Sequence, residues 1–302
     1  MKKYIIFFFS IFLLLLNITY AYEIDLNNEI ISFDKIENFN LQGFTTTDKY
    51  LFLVLVERDD KSSIIMIYNL DDYKLVKTIF YSSLGHANDV TYNRKTDKIY
   101  VLRGNGSSLV DVFNGESFQY EETIDVKLPI RSITYVDTKD EYYVRTVATG
   151  FRLDNKFKLA SKIPFVIGMN FNNDIGRQGW QYYNGYIYYA NWSWVRLGGD
   201  GSNIIYIYNL EGKEMDYLHT SRDIGEIEGI SFYKDKMILG FNGYDNKVKF
   251  YIRDIPPVLE KEKKEKINND KEEIKNYNIL NYIVLIFLVV SLCLIVKKKM
   301  CK

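Results

Sequence analysis

The feature that most constrains this 302-residue chain is an internal recurrence. A strand-like run, a polar turn and a second strand-like run return at intervals of roughly 43–51 residues. The turns are Thr47-Asp48-Lys49, Thr96-Asp97-Lys98, Lys139-Asp140-Glu141, Asn184-Gly185 and Lys234-Asp235-Lys236. The strands after them begin at Tyr50, Ile99, Tyr142, Tyr186 and Met237. An all-strand period of this length is the signature of propeller blades, because one small sheet cannot cover both of its own faces and needs neighbours to do so.

A third strand is expected in each unit: Ile64–Tyr68, Ser108–Phe113, a weaker one near Gly150-Phe151-Arg152, Ile204–Tyr208 and Lys247–Ile252. Four units add a fourth: Leu75–Phe80, Tyr120–Val126, Phe157–Ile163 and Lys213–His219. Asp71-Asp72, Asn114-Gly115, Asp154-Asn155 and Glu211-Gly212 supply turn chemistry between them. The fifth unit lacks a fourth strand, and Glu29–Phe33 is available to fill the gap and close the ring. Units one and four match best, with Ile64-Ile65-Met66-Ile67-Tyr68-Asn69-Leu70 against Ile204-Ile205-Tyr206-Ile207-Tyr208-Asn209-Leu210. The reading is an all-β, five-bladed β-propeller, with six blades as the runner-up. A β-sandwich would lack the blade period, and a β-helix would repeat over fewer residues.

The ends of the chain read differently. Lys2 and Lys3 precede the apolar run Ile5–Leu16, and Thr19-Tyr20-Ala21 offers a cleavage site, so residues 1–21 read as a secretory signal peptide. Residues 22–258 are then the propeller ectodomain. Residues 259–278 form a charged stalk, with six lysines and six carboxylates between Leu259 and Asn276. Ile279–Val296 carries no charge, and at 1.5 Å per residue it gives about 27 Å, enough for one transmembrane helix. Lys297, Lys298 and Lys299 follow, which marks residues 297–302 as a cytoplasmic tail. The expected localisation is therefore the cell membrane, single-pass, with the propeller outside. Both cysteines, Cys293 and Cys301, fall outside the propeller, so no disulfide holds it. Lys plus Arg equals Asp plus Glu at 39 each, and a chain of zero formal net charge gives no sign of a nucleic-acid partner.

In a propeller the first strand of each blade lines the axis, and the loops leading into those strands ring one mouth. Here these entries carry Gln42, His86, Asn88, Asp89, Arg131, Arg177, Gln178, Glu226 and Glu228. Groups of this kind are costly to bury unless paired. They form either a ligand site or a closed polar network. Three chemistries are open. Asp89 with Glu226 or Glu228 could act as acid and base in glycoside hydrolysis. His86 with Asp89, Glu226 and Glu228 could hold a cation such as Ca²⁺, though no Asp-rich calcium loop supports it, and no resident cofactor is expected. Recognition without chemistry needs only carboxylates, amides and arginines beside aromatics. Trp180, Trp192 and Trp194 are candidates for a stacking platform or for core packing. No serine elbow, phosphate loop or zinc motif is present.

Gly85-His86-Ala87-Asn88-Asp89, followed by Thr91-Tyr92-Asn93, resembles a signature of secreted Gram-positive propeller proteins within the broad YVTN and NHL-like class. The resemblance spans about residues 40 to 255, without the repeated Tyr-Val-Thr-Asn motif of the wider class. It implies a propeller on a cell surface and no firm activity. The expected role is a surface binding module for a cell-wall glycan, a peptide or a neighbouring surface protein. The alternatives are a glycoside hydrolase or lyase at the axial mouth, and a scaffold in which Arg131 and Arg177 neutralise Asp89, Glu226 and Glu228.

Overall fold

The computed structural model describes residues 23–24, 26–82, 84–104, 106–146, 149–164, 175–193, 202–220 and 223–258. The chain divides after Pro256, and the described residues up to that point form the propeller unit. The signal segment, the stalk and the C-terminal span lie outside the described residues. Among the described residues no helix is long and apolar enough to cross a membrane.

Two short strands come first, β1 (Glu23–Ile24) and β2 (Glu29–Asp34). Blade 1 follows as β3 (Phe39–Thr46), β4 (Tyr50–Glu57), β5 (Ser63–Asn69) and β6 (Leu75–Tyr81). Blade 2 is β7 (Asp89–Asn93), β8 (Lys98–Leu102), β9 (Leu109–Asn114) and β10 (Tyr120–Asp125). Blade 3 is β11 (Ser132–Val136), β12 (Glu141–Arg145), β13 (Gly150–Leu153) and β14 (Leu159–Ile163). Blade 4 is β15 (Ile175–Tyr183), β16 (Tyr186–Ser193), β17 (Asn203–Asn209) and β18 (Glu214–Thr220). Blade 5 is β19 (Gly225–Tyr233), β20 (Lys236–Gly243) and β21 (Lys247–Asp254), and its outer strand is β2. The protein is thus a five-bladed β-propeller, closed by antiparallel pairing of β2 on β21 with Phe33 opposite Val248. Closure covers the outer edge of β21, and β2 becomes the outer strand of blade 5. One pairing was not foreseen: β1 adds a parallel fifth strand to blade 4, with Glu23 opposite His219.

The strands form because their β-branched and aromatic side chains fill both faces of each blade. Seams between blades bury them. Phe44, Leu53, Ile238 and Phe250 share one cluster between blades 5 and 1, and Phe52, Ile67, Val101 and Phe113 another between blades 1 and 2. Complete burial of each such side chain contributes about 1.5–3 kcal/mol.

The turns between first and second strands use the left-handed backbone that Asn, Asp and Gly tolerate best. Asp97, Asp140, Asn184 and Asp235 have φ of 52°, 54°, 45° and 57°. The turns between third and fourth strands were read only as polar hairpins. In three of them an aromatic residue takes the left-handed position: Tyr73, Phe118 and Phe157, with φ of 57°, 59° and 61°. Phe118 and Phe157 are buried, so packing offsets the backbone strain. Phe157, expected to begin a strand, therefore lies in the turn, and β14 starts at Leu159.

Candidate functional site

Three of the five inner strands carry a bulge at the same place. The register slips between Leu41 and Gly43, between Arg177 and Trp180, and between Ile227 and Gly229. Gln42, Gln178 with Gly179, and Glu228 are the extra residues. A bulge leaves its residue outside the ladder and re-aims the side chain. The glycine that follows has a steric reason. A Cβ on Gly43 would meet the Ala87 carbonyl oxygen at 2.6 Å, and one on Gly179 would meet Asp89 Oδ1 at 2.5 Å.

The axis is stitched by side chains that cap the inner-strand N–H groups of other blades. Asp89 is the centre of this network. Its Oδ2 accepts from Ile133 N of blade 3 at 2.9 Å and from Trp180 N of blade 4 at 3.2 Å. Its Oδ1 accepts from Val90 N at 3.0 Å. Thr91 Oγ1 accepts from Tyr135 N at 3.0 Å, Thr134 Oγ1 from Tyr182 N at 2.8 Å, and Ser231 Oγ from Thr46 N at 2.9 Å. Asn242 closes the seam from blade 5 to blade 1, accepting from Leu41 N at 3.1 Å and donating to Leu41 O at 3.0 Å. Asn203 joins blade 4 to blade 5 through Ile227 N and Gly225 O.

The sequence-derived residues divide accordingly. Asp89 and Glu228 are buried in this network, and both oxygens of Asp89 are engaged. Glu226 Oε1 accepts from Gln178 Nε2 at 2.9 Å, joining blades 5 and 4. Asn88 is buried and Gln42 half-buried. His86 turns aside: its Nδ1 lies 2.9 Å from Asp60 Oδ1 of blade 1. There it borders a hollow of about 470 Å³ with Arg103 and Ser107. The scaffold alternative names Arg131 and Arg177 as the neutralising cations. Arg131 Nε has no hydrogen-bond partner, and the Arg177 side chain lies outside the described residues. The cation near Asp89 is Arg145 on β12, buried, donating to Ser132 Oγ and lying over the Tyr189 ring. Among the described residues no three His, Cys, Asp or Glu side chains stand together as a metal site, so the His86 and carboxylate set forms none. Trp180 is core, at 1% exposed, Trp192 is half-buried on β16, and Trp194 lies outside the described residues.

Burial dominates the acid chemistry. It pushes the Asp89 carboxyl up to about 8, against three backbone N–H groups and Arg145 that pull it down. Glu228 is also raised well above the ordinary value, first by burial and then by the charge of Glu226, while Asn242 and Lys35 oppose. Glu228 Oε2 has no partner. An acid whose pKa is raised on folding stabilises below its unfolded value near 4, and that contribution is lost as pH rises through the folded value. Each such proton tilts stability by about 1.4 kcal/mol per pH unit. Glu228→Gln keeps the acceptor for Asn242 and removes one titration. Its melting midpoint, followed from pH 5 to pH 9, should fall less steeply than that of the wild type.

The larger open space lies at the opposite mouth. Ends of all five inner strands and the turns after them enclose a funnel of about 560 Å³. Tyr92, Tyr135, Tyr182 and Phe232 occupy equivalent places in blades 2 to 5 and line it. Their hydroxyls are tied back: Tyr92 to Asp97 at 3.0 Å, Tyr135 to Asp140 at 2.7 Å, Tyr182 to Thr138 at 3.0 Å. Asp48, Arg94, Asp137 and Asn184 stand exposed at its rim. Sequence reasoning missed this funnel, although the signal was present. Val90-Thr91-Tyr92, Ile133-Thr134-Tyr135, Trp180-Gln181-Tyr182 and Ile230-Ser231-Phe232 repeat an apolar, polar, aromatic triplet just before each turn.

No family model matches the chain, and no curated protein does. A structural-genomics protein of unknown function from Bacteroides thetaiotaomicron is similar at 13% identity and TM-score 0.47, covering 77% of this chain and 63% of that one. This chain thus spans less than two thirds of that protein's length. The WD40 repeats of RRP9 align at 9% identity and TM-score 0.45, covering 74% of this chain and 97% of theirs. The WD40 domain of Neurospora crassa Pan2 aligns at 8% identity and TM-score 0.35, covering 73% and 65%.

Proposed function

We propose that the protein is an exported, membrane-anchored propeller that binds an extracellular ligand in the funnel on its turn face. The signal segment, the span Ile279–Val296 and the lysines after it support the topology. The funnel carries the binding reading: five blades converge on one concave space with aromatic walls and a charged rim, the composition of ligand sites. A cell-wall glycan, a peptide or a surface protein is the ligand class. The hydrolase alternative loses weight because Asp89, a member of each carboxylate pair considered, is buried with both oxygens bonded.

A ligand that binds the folded state raises the melting midpoint. Fractionated wall glycan, wall peptides and surface-protein extract should each be tested on three chains: the wild type, an Arg94→Ala/Asp137→Ala double variant and His86→Ala. The expected result is a fraction that raises the midpoint of the wild type and His86→Ala but not of the double variant. A shift lost only in His86→Ala would move the site to the entry face.

A further inference from the structure

Resting on the funnel as the binding site, we infer that its ligand is a saccharide, held by stacking of pyranose faces on the tyrosine wall and by hydrogen bonds to the rim. Three observations converge on this class.

The first concerns what the walls offer. Tyr92, Tyr135 and Tyr182 spend their hydroxyls on Asp97, Asp140 and Thr138. Tyr135 is core, at 5% exposed, and packs on Tyr142, whereas Tyr92 and Tyr182 are half-buried with their polar tips satisfied, so ring carbon is what these two have left to present. Burial, with the Asp97 and Asp140 carboxylates, also keeps the Tyr92 and Tyr135 hydroxyls protonated. A pyranose has one face of C–H groups that packs on such a ring, and hydroxyls around its edge.

The second concerns what the floor withholds. An extended peptide binds most readily by adding a strand to a free edge. The inner strands here have no such edge at the funnel. Thr46 N, Tyr135 N and Tyr182 N are capped by Ser231, Thr91 and Thr134. Thr46 Oγ1 donates to Phe232 O, and Gln181 Nε2 to Val90 O. The main chain at the funnel floor is thus largely occupied by inter-blade bonds, which disfavours a peptide and leaves ring stacking untouched.

The third is charge and size. The rim mixes signs, with Asp48 and Asp137 against Arg94, and adds the Asn184 amide. A planar guanidinium, an amide and carboxylates suit vicinal hydroxyls, which both donate and accept. The 560 Å³ volume falls in the range of small-molecule pockets.

Fluorescein-labelled chitotriose, cellotriose and mannotriose, and a labelled random tetradecapeptide pool, should be titrated with the full-length chain and followed by anisotropy. At least one trisaccharide is expected to bind. Tyr182→Ala should weaken it about tenfold, the size of a lost aromatic contact, whereas Tyr182→Phe, which keeps the ring, should stay within about twofold. Retained melting midpoints, or the same pattern for Tyr92→Ala and Tyr92→Phe, separate this from misfolding. If only the peptide pool binds and Tyr182→Ala abolishes it, the saccharide inference falls while the funnel stands. Trisaccharide binding that survives both Tyr182→Ala and Arg94→Ala overturns the inference and the funnel together. No binding by any of the three sugars also overturns the inference.

Discussion

Replacing Asp89 with alanine is expected to be the most damaging single substitution in the propeller. The side chain is 3% exposed and caps N–H groups of blades 2, 3 and 4 at once. Removing it strands three donors where water does not reach, at about 1–3 kcal/mol each, so a loss on the order of 4–5 kcal/mol is expected even with partial relaxation. That approaches the whole stability of an ordinary domain. Asp89→Asn keeps the shape and turns one acceptor oxygen into a donor, so its cost should lie between. Urea unfolding at pH 6, where burial holds the native carboxyl neutral, gives both values. A cost below about 1 kcal/mol for alanine would mean that the inter-blade bonds contribute little.

The second large effect concerns closure. Deleting residues 26–34 removes β2, the outer strand of blade 5. β21 then loses its ladder partners from Lys247 to Tyr251, and Ile31, a member of the core cluster at the seam of blades 5 and 1, is lost. An opened edge beside an uncovered core is an invitation to pair with other chains. The truncated chain is expected to aggregate or to expand at 25 °C, seen as a larger hydrodynamic radius and a lost unfolding transition. Deletion of residues 22–24 alone removes only the two-residue β1 and should be tolerated.

The contrast between those deletions bears on what the sequence made legible. Blade period, strand order and the closing role of Glu29–Phe33 were readable, because alternation and turn chemistry are local and repeat five times. The added strand β1 was not, since two residues carry no periodicity. At the axis the sequence pointed to a set of polar residues and left their role open. Whether Asp89 faces a ligand or the N–H groups of Ile133 and Trp180 depends on residues 44 and 91 positions away. Asp60, the partner of His86, and Arg145, the cation near Asp89, come from second strands and the loops after them, which the reading of first-strand entries did not include. The funnel escaped notice for another reason. Tyr92, Tyr135 and Tyr182 look like ordinary strand residues until five blades bring their ends together.

On the proposed function the two ends of the axis differ: the Asp89 network holds blades 2, 3 and 4 together, and the turn-face funnel would take the ligand. One crossed measurement tests that division. Melting midpoint and affinity for the same wall-derived ligand should be determined for Asp89→Ala and for the Arg94→Ala/Asp137→Ala double variant, at a temperature where both are folded. The account predicts a steep loss of midpoint with near-native affinity for Asp89→Ala. For the double variant it predicts a midpoint close to wild type, as exposed substitutions give, with affinity lost. The reverse pattern, affinity lost in a stable Asp89→Ala and kept in the rim variant, would contradict it and return the site to the entry mouth.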